Sequence, residues 1–231
     1  MSYDLNLNYS FTDFKELENI DHKGFCICSE AKENLKTIIP PVYDSLNSKS
    51  LYTRVNVEYH NRLDSSTIKY LSKFDLVCIK GVDNTNISSV IKLNPDLIIL
   101  KAEEIKHIKR TFINTLKQKE IYVELIIKDA LYSGKERIIW MNNIRRLLKF
   151  GCLKQLIISS GASVFTELKS SIDICKLMSV FGLSDDKTKR ILKNSEIVLR
   201  NAALKRYSSG GICASSVEEG ELKKNFIIEF P

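Results

Sequence analysis

The sequence predicts an α/β fold built on a mainly parallel sheet. Short apolar runs of strand length alternate with amphipathic runs of helix length at regular spacing, the pattern of βα units. Glycines and prolines fall between those runs, at Pro40-Pro41, Pro95, Gly151 and Gly182. The chain of 231 residues is 44% hydrophobic and 27% charged, with 9 Gly and 4 Pro, which suits a globular protein without long linkers. Composition does not shift along the chain, so residues 1–213 read as a single domain.

Each element has a local reason. Residues 3–7 alternate apolar and polar, as a first strand does. Residues 11–20 carry Phe11, Phe14, Leu17 and Ile20 at helical spacing. A second strand follows at 24–28 and a short helix at 31–38, which Pro40-Pro41 breaks. Residues 51–59 are β-rich, and a helix over 64–74 starts from the Asp64-Ser65-Ser66 cap. Strands are expected at 75–80, 96–101, 122–128 and 155–159, with helices at 84–93, 103–117 and 135–149 between them.

After the last strand comes the small-residue turn Ser159-Ser160-Gly161-Ala162. A helix then follows whose buried face is expected to carry Ile172, Cys175, Leu177, Met178, Val180 and Phe181. Gly182 ends it, and Ser184 caps the next helix, with Asp185 and Asp186 at its positive end. A last apolar stretch lies at 197–199. The tail, 214–231, is expected to be partly disordered, with 226–230 able to dock. About seven strands fit either an open doubly wound sheet or a closed, slightly irregular barrel. No GxGxxG follows the first strand, which argues against a dinucleotide fold.

Composition narrows the function classes. The formal net charge of +7 favours polyanion partners, with a solvated basic surface as the plain alternative. The six cysteines, Cys26, Cys28, Cys78, Cys152, Cys175 and Cys213, include no CxxC. They read as buried free thiols of a reducing compartment. The N-terminus lacks the apolar core of a secretory signal, and no apolar run approaches membrane-spanning length.

Candidate chemistry is sparse. Lys80, Lys101 and Lys128 end successive strands, and Ser159-Ser160-Gly161 follows the seventh. In a barrel these would line the mouth, attract anions and repel metal cations. A barrel enzyme acting on a small phosphorylated substrate is one alternative on that basis. Asp4, Asn6 and Asn8 share one face of the first strand, but asparagine amides are weak metal ligands. His22, His60 and His107 do not pair at ligand spacing, and His22 and His107 fall on loop or helix surfaces. No GxSxG elbow or assignable Cys–His pair supports nucleophilic catalysis. The basic clusters say more. Lys135 and Arg137 open one helix, with Arg145, Arg146 and Lys149 further along. Lys187, Lys189, Arg190 and Lys193 crowd the penultimate segment, and Arg200, Lys205 and Arg206 follow. Such clusters supply phosphate contacts to RNA. They carry no aromatic pair for base stacking.

The combination resembles the thirty-kilodalton protein subunit of ribonuclease P and RNase MRP. The matching pieces are Asp75-Leu76-Val77-Cys78-Ile79, Asp96-Leu97-Ile98, Val123-Glu124-Leu125 and Ile157-Ile158-Ser159-Ser160-Gly161-Ala162. Next come Glu167-Leu168-Lys169, Asp173-Ile174 and Phe181-Gly182-Leu183-Ser184. Order and spacing hold from about Leu51 to Ile212. The resemblance implies a TIM-barrel-like (β/α) barrel, related to the polymerase-and-histidinol-phosphatase metallohydrolases. Those relatives carry a DLHxH-type first strand. This chain reads Asp4-Leu5-Asn6-Leu7-Asn8, so the histidines are gone. A metal-dependent phosphoesterase of that parent superfamily is therefore the alternative the first strand opposes.

What the resemblance implies is a noncatalytic RNA-binding subunit, without cofactor or metal. It would support an RNA catalyst that removes the 5′ leader of precursor tRNA. Its partners would be the RNase P RNA, precursor tRNA indirectly, a small RRM-like subunit and other RNase P proteins. No membrane is implied, and the location would be the nucleus. Lys135, Arg137 and Lys169 carry over most directly as RNA-binding residues, joined by Lys187, Lys189, Arg190, Arg200, Lys205 and Arg206. The family often has Arg-Gly-Pro where this chain has Lys169-Ser170-Ser171. It often has Asn-x-Arg where this chain has Asn194-Ser195-Glu196.

Overall fold

In the computed structural model, seven strands pair in sequence order, each parallel to the next. They are β1 (Tyr3–Asn8), β2 (Gly24–Ala31), β3 (Ser50–Glu58), β4 (Leu76–Val82), β5 (Leu97–Leu100), β6 (Tyr122–Ile126) and β7 (Leu156–Ser159). The structure describes residues 2–31, 35, 37–43, 46, 48–60, 63–131, 134–209, 212–213 and 220–228. A doubly wound sheet reverses its strand order at a switch point. An unbroken order of one to seven is instead that of a sheet rolling toward closure, which decides between the two architectures in favour of the barrel. Among the described residues one isolated bridge closes the seam, Leu7 to Ala162, where the Asn8 N–H donates to the Ala162 carbonyl at 2.8 Å. Side chains bond the rest of it. The Ser160 N–H donates to the Asp4 carboxylate at 3.2 Å, and the Tyr3 N–H donates to Ser195 Oγ at 2.9 Å.

The helices are α1 (Ser65–Leu71), α2 (Ile87–Leu93), α3 (Arg110–Gln118), α4 (Lys128–Leu131), α5 (Gly134–Lys149), α6 (Ser171–Ser179) and α7 (Asp185–Tyr207). A two-residue hairpin pair, β8 (Ser208–Ser209) and β9 (Ile212–Cys213), follows. Then come α8 (Gly220–Lys223) and a π-helical turn, Lys224–Ile228. No helix among the described residues is long and apolar enough to cross a membrane. The local signals act where expected. Asp64 caps α1 by accepting from the Thr67 N–H at 2.7 Å. Ser170 and Asp173 form a capping box on α6. Gly182 leaves α6 with φ of 75°, a conformation costly for any residue with a Cβ.

Several boundaries differ from expectation. The segment 11–20 forms a 3-10 helix, Phe14–Asn19, burying Leu17. Half of the expected helix at 31–38 falls outside the described residues, and Ala31 itself ends β2. The helix expected at 103–117 is split into a 3-10 turn, Ile105–His107, and α3. Ile108 is extended between them, so that Ile105 and Ile108 are both buried. α2 ends at Asn94, in the left-handed region, before Pro95 is reached. The buried face of α6 is Ile174 and Met178, while Ile172 and Val180 are 60% and 66% exposed. Residues 197–199 belong to α7, one helix of 23 residues. Residues 214–219 lie outside the described set. Beyond them Leu222 and Phe226 are buried in one cluster with Tyr3, Tyr52 and α7.

The barrel interior has two levels. Toward the strand starts it is apolar: Leu5, Cys26, Tyr52, Leu76, Leu97 and Ile157 pack on Val198, Leu199, Ala202 and Ala203 of α7. Further along the strands it turns polar. Arg54 on β3 and Glu124 on β6 are fully buried and form a bidentate ion pair across the barrel, one contact at 2.8 Å. The remaining Arg54 donors reach the Leu5 carbonyl at 2.7 Å and Asn56 Oδ1 at 2.8 Å. Ser159 Oγ donates to Glu124 at 2.5 Å, and Asn56 passes the chain on to Glu30. Removing one partner of such a pair strands a buried charge, at a cost of about 3–5 kcal/mol. Urea unfolding of Arg54→Met should show a loss of that order. The double variant Arg54→Met/Glu124→Leu should lose less than the single one.

Candidate nucleic-acid interface

Helix α7 lies across the starts of the strands. Asn194 Nδ2 donates to the Leu153 and Leu156 carbonyls at the start of β7, at 2.7 and 2.8 Å. Ser195 meets the start of β1. Arg206 donates to the Phe74 carbonyl just ahead of β4, at 2.9 Å. Arg206 and Lys205 both pair with Asp96, the residue before β5, at 2.6 and 3.2 Å. Asn201 reaches Glu120 ahead of β6. With Thr188, Ile191, Leu192 and Val198 also buried, one side of α7 is committed to the barrel along its length.

The opposite side is solvent-exposed. Lys187, Lys189, Arg190, Lys193 and Arg200 are exposed there, with Ile197 and Leu204 between and beyond them. Positions 190, 193, 197, 200 and 204 follow helical spacing on one face. From Lys187 to Arg200 the stripe runs roughly 20 Å at 1.5 Å per residue. Asp185, Asp186 and Glu196 are the acidic residues on the helix. A helix fixed to the barrel thus presents spaced, solvent-exposed cations along one face, the arrangement that contacts to a phosphate backbone require.

The other cations expected to bind RNA sit elsewhere or are occupied. Lys135 and Arg137 begin α5, beyond the opposite end of the barrel, where strands finish. Lys135 is exposed, and Arg137 donates to the Ala130 and Leu131 carbonyls at 2.9 and 3.1 Å, ending α4. Lys169 is half-buried and donates to the Thr166 and Leu168 carbonyls. Lys205 and Arg206 hold Asp96. The structure thus gathers Lys187, Lys189, Arg190 and Arg200 on one helix and leaves Lys135, Arg137 and Lys169 apart from them. Lys193 completes the gathered set.

The barrel mouth differs from the anion-attracting site read from its lysines. Lys80 pairs with Glu30, Lys101 with Asp83 and Lys128 with Glu167, at 3.2, 2.6 and 2.9 Å. In the Ser159–Ala162 turn, the Ser160 N–H is spent on Asp4 and the Ala162 N–H on Ser160 Oγ. Gly161 is left-handed there, and the turn lies so close to Ile126 that a Cβ would come within 2.3 Å of its methyl. Asp4 is buried. Burial pushes its carboxyl up, against His22 and the hydrogen bonds from Ser160 and Asn6. His22 is not on a surface. It is buried, with Nδ1 2.9 Å from Ser2 Oγ and Nε2 2.9 Å from the Lys169 carbonyl. Among the described residues no group of three or more His, Cys, Asp or Glu could hold a metal ion. Cys26, Cys28, Cys78 and Cys152 are free and buried, and burial pushes the Cys78 and Cys152 thiols up to about 12.

Reading single motifs did not reveal Arg54. One signal pointed to it: a lone arginine inside the β-rich run 51–59, opposite a glutamate in the apolar run 122–128. Ionic residues enter strands buried on both faces only when paired.

Fold and site define a TIM-barrel-like protein whose interior is tied up by its own ion pair and whose basic surface is external. Comparison with known proteins gives the family. The family described as RNase P subunit p30 matches residues 1–207, and the chain belongs to it. The Arabidopsis thaliana protein GAMETOPHYTE DEFECTIVE 1 is 23% identical over 189 residues. That match covers 78% of this chain and 32% of the Arabidopsis protein, so the chain spans about a third of that relative. A chain of an archaeal ribonuclease P, determined by cryo-EM with mature tRNA, superposes with a TM-score of 0.71 at 16% identity. It covers 94% of this chain and 99% of its own length, and supports the fold.

The attachment of α7 has a pH signature. Burial pushes Asp96 up, but Arg206 and Lys205 outweigh it and hold the carboxyl below its usual range. The pair therefore contributes stability that is complete above about pH 4 and lost as pH falls through the depressed native value. Thermal melts of Asp96→Asn should show lower stability at neutral pH and a weaker decline below pH 4 than the unmodified protein.

Proposed function

We propose that this protein is a noncatalytic RNA-binding subunit of ribonuclease P, supporting removal of the 5′ leader from precursor tRNA. Family membership supports the assignment to ribonuclease P. The observation that carries the binding mode is the exposed cationic face of α7, set on a helix whose other face is fixed to the barrel. The interior favours a binding role over catalysis: Arg54, Glu124 and Asp4 are bonded to neighbouring protein groups. In this reading α7 lies against the phosphates of the RNase P RNA through Arg190, Lys193 and Arg200, with Lys187 and Lys189 beside them. Precursor tRNA is met indirectly, through the RNA. A small RRM-like protein subunit and other RNase P proteins complete the particle, which works in the nucleus.

The test is filter binding of RNase P RNA across a salt series, with cleavage of precursor tRNA by the reconstituted particle. Arg190→Glu/Lys193→Glu should weaken binding about 10-fold or more at moderate salt. It should also flatten the salt dependence by nearly one logarithmic unit for each phosphate that is no longer neutralised. Both side chains are exposed, so the melting temperature should stay near that of the unmodified protein. Unchanged affinity and cleavage in that variant would remove α7 from the interface.

A further inference from the structure

The lysines at the barrel mouth, Lys80, Lys101 and Lys128, are each ion-paired. Around α7, by contrast, no ion pair among the described residues engages Lys149, Lys154, Arg190 or Lys193. Lys149 and Lys154 are exposed, in a run, residues 137–166, that holds five lysines and arginines and no aspartate or glutamate. The fold carries this run to α7. Lys149 is the last residue of α5, Gly151 turns the chain in the left-handed region, and Lys154 ends the 3-10 turn Cys152–Lys154 ahead of β7. The Leu153 and Leu156 carbonyls, which accept from Asn194, hold that turn against the middle of α7, one residue from Lys193. Earlier on α5, the Arg145 guanidinium stands 5.6 Å over the Phe181 ring, in the turn that leads into α7. Lys117, at the end of α3, is near enough to Cys152 to oppose the rise in its thiol pKa, so it adds positive charge beside the same turn. The acidic residues lie to the sides. Asp185 lines a groove with α6, and Glu196 one with Asp21 and Lys23, both on the other flank of α7. Asp186 stands in the first turn of α7, and Glu120, next to Lys119 and bonded to Asn201, bounds the surface toward α3.

We infer that the RNA surface continues from α7 onto the end of α5 and the turn after it, with Lys149 and Lys154 contacting phosphates, Arg145 flanking them, and a double-stranded RNA segment as the ligand. The inference rests on the RNA reading of α7 and extends it to a second element. Two groups of cations on separately anchored elements match the paired phosphate backbones of a duplex. A single strand would be held by bases stacked on bare aromatic rings. Phe150 and Phe181 are half-buried instead, with Arg146 over one ring and Arg145 over the other. A lysine at a helix C-terminus also complements the dipole, which accounts for Lys149 by itself. It does not account for Lys154, on a single 3-10 turn, nor for five cations without a carboxylate among them.

The test is filter binding of the full chain to RNase P RNA across a salt series, with unlabelled competitors. Lys149→Gln/Lys154→Gln should weaken binding about 10-fold and flatten the salt dependence by nearly two logarithmic units. Lys149→Arg/Lys154→Arg should bind as the unmodified protein does, because charge and not packing makes the contact. Both side chains are exposed, so both variants should keep the native melting temperature. A twenty-base-pair RNA duplex should displace the RNase P RNA at lower concentration than a twenty-residue uridine oligonucleotide. Arg190→Glu/Lys193→Glu, measured alongside, separates the two readings. Weakening in that variant with none in the glutamine variant overturns this inference and leaves the α7 reading standing. Weakening in neither overturns both. Uridine competition equal to that of the duplex overturns the choice of ligand.

Discussion

The buried pair of Arg54 and Glu124 is the constraint on which the rest of the protein turns. A parallel barrel needs side chains from opposite strands to fill its centre. Here the filling at the upper level is ionic, and nearly all its hydrogen-bonding capacity is accounted for: Arg54 reaches Glu124, Asn56 and Leu5, and Glu124 also accepts from Ser159. The polar centre is thus an ion pair whose charges are opposed within the barrel itself.

The two ends of the barrel differ in what they present. Below, where strands begin, α7 closes the barrel with its apolar side and turns Arg190, Lys193 and Arg200 outward. Above, where strands finish, Lys80, Lys101 and Lys128 each meet a carboxylate, beside an apolar cavity. The Asp96 pairing with Arg206 and Lys205 is what fixes the lower arrangement, since it ties the C-terminal turn of α7 to the sheet. Asn194 and Ser195 do the same at its middle. A helix held by polar bonds to the starts of five strands behaves as part of the barrel, so the spacing of its outer cations is set by the fold. That rigidity lowers the ordering cost of binding a structured polyanion.

Much of this was legible in the sequence, because strands buried on both faces and amphipathic helices leave strong periodic signals. All seven strands appear near their expected positions, and the caps at Asp64 and Ser170 and the stop at Gly182 act through local chemistry. Contacts between distant segments were not legible. Nothing near Arg206 or Lys205 in the chain announces Asp96, so two anchoring residues looked the same as their solvent-facing neighbours. The lysines at strand ends looked anion-attracting because their partners Glu30, Asp83 and Glu167 come from other strands and loops. The absence of histidines from β1 was visible, but the pairing of Arg54 on β3 with Glu124 on β6 required the rolled sheet to bring them together.

The central claim is that the outer face of α7 lies on RNA. The most direct measurement is ultraviolet crosslinking of the reconstituted ribonuclease P particle, with mass spectrometry to locate the attached nucleotides on this chain. The account predicts adducts on peptides spanning residues 187–200, and none on the strand-end loops around Asp83 and Asp129. Adducts confined to those loops, with α7 unmodified, would contradict it.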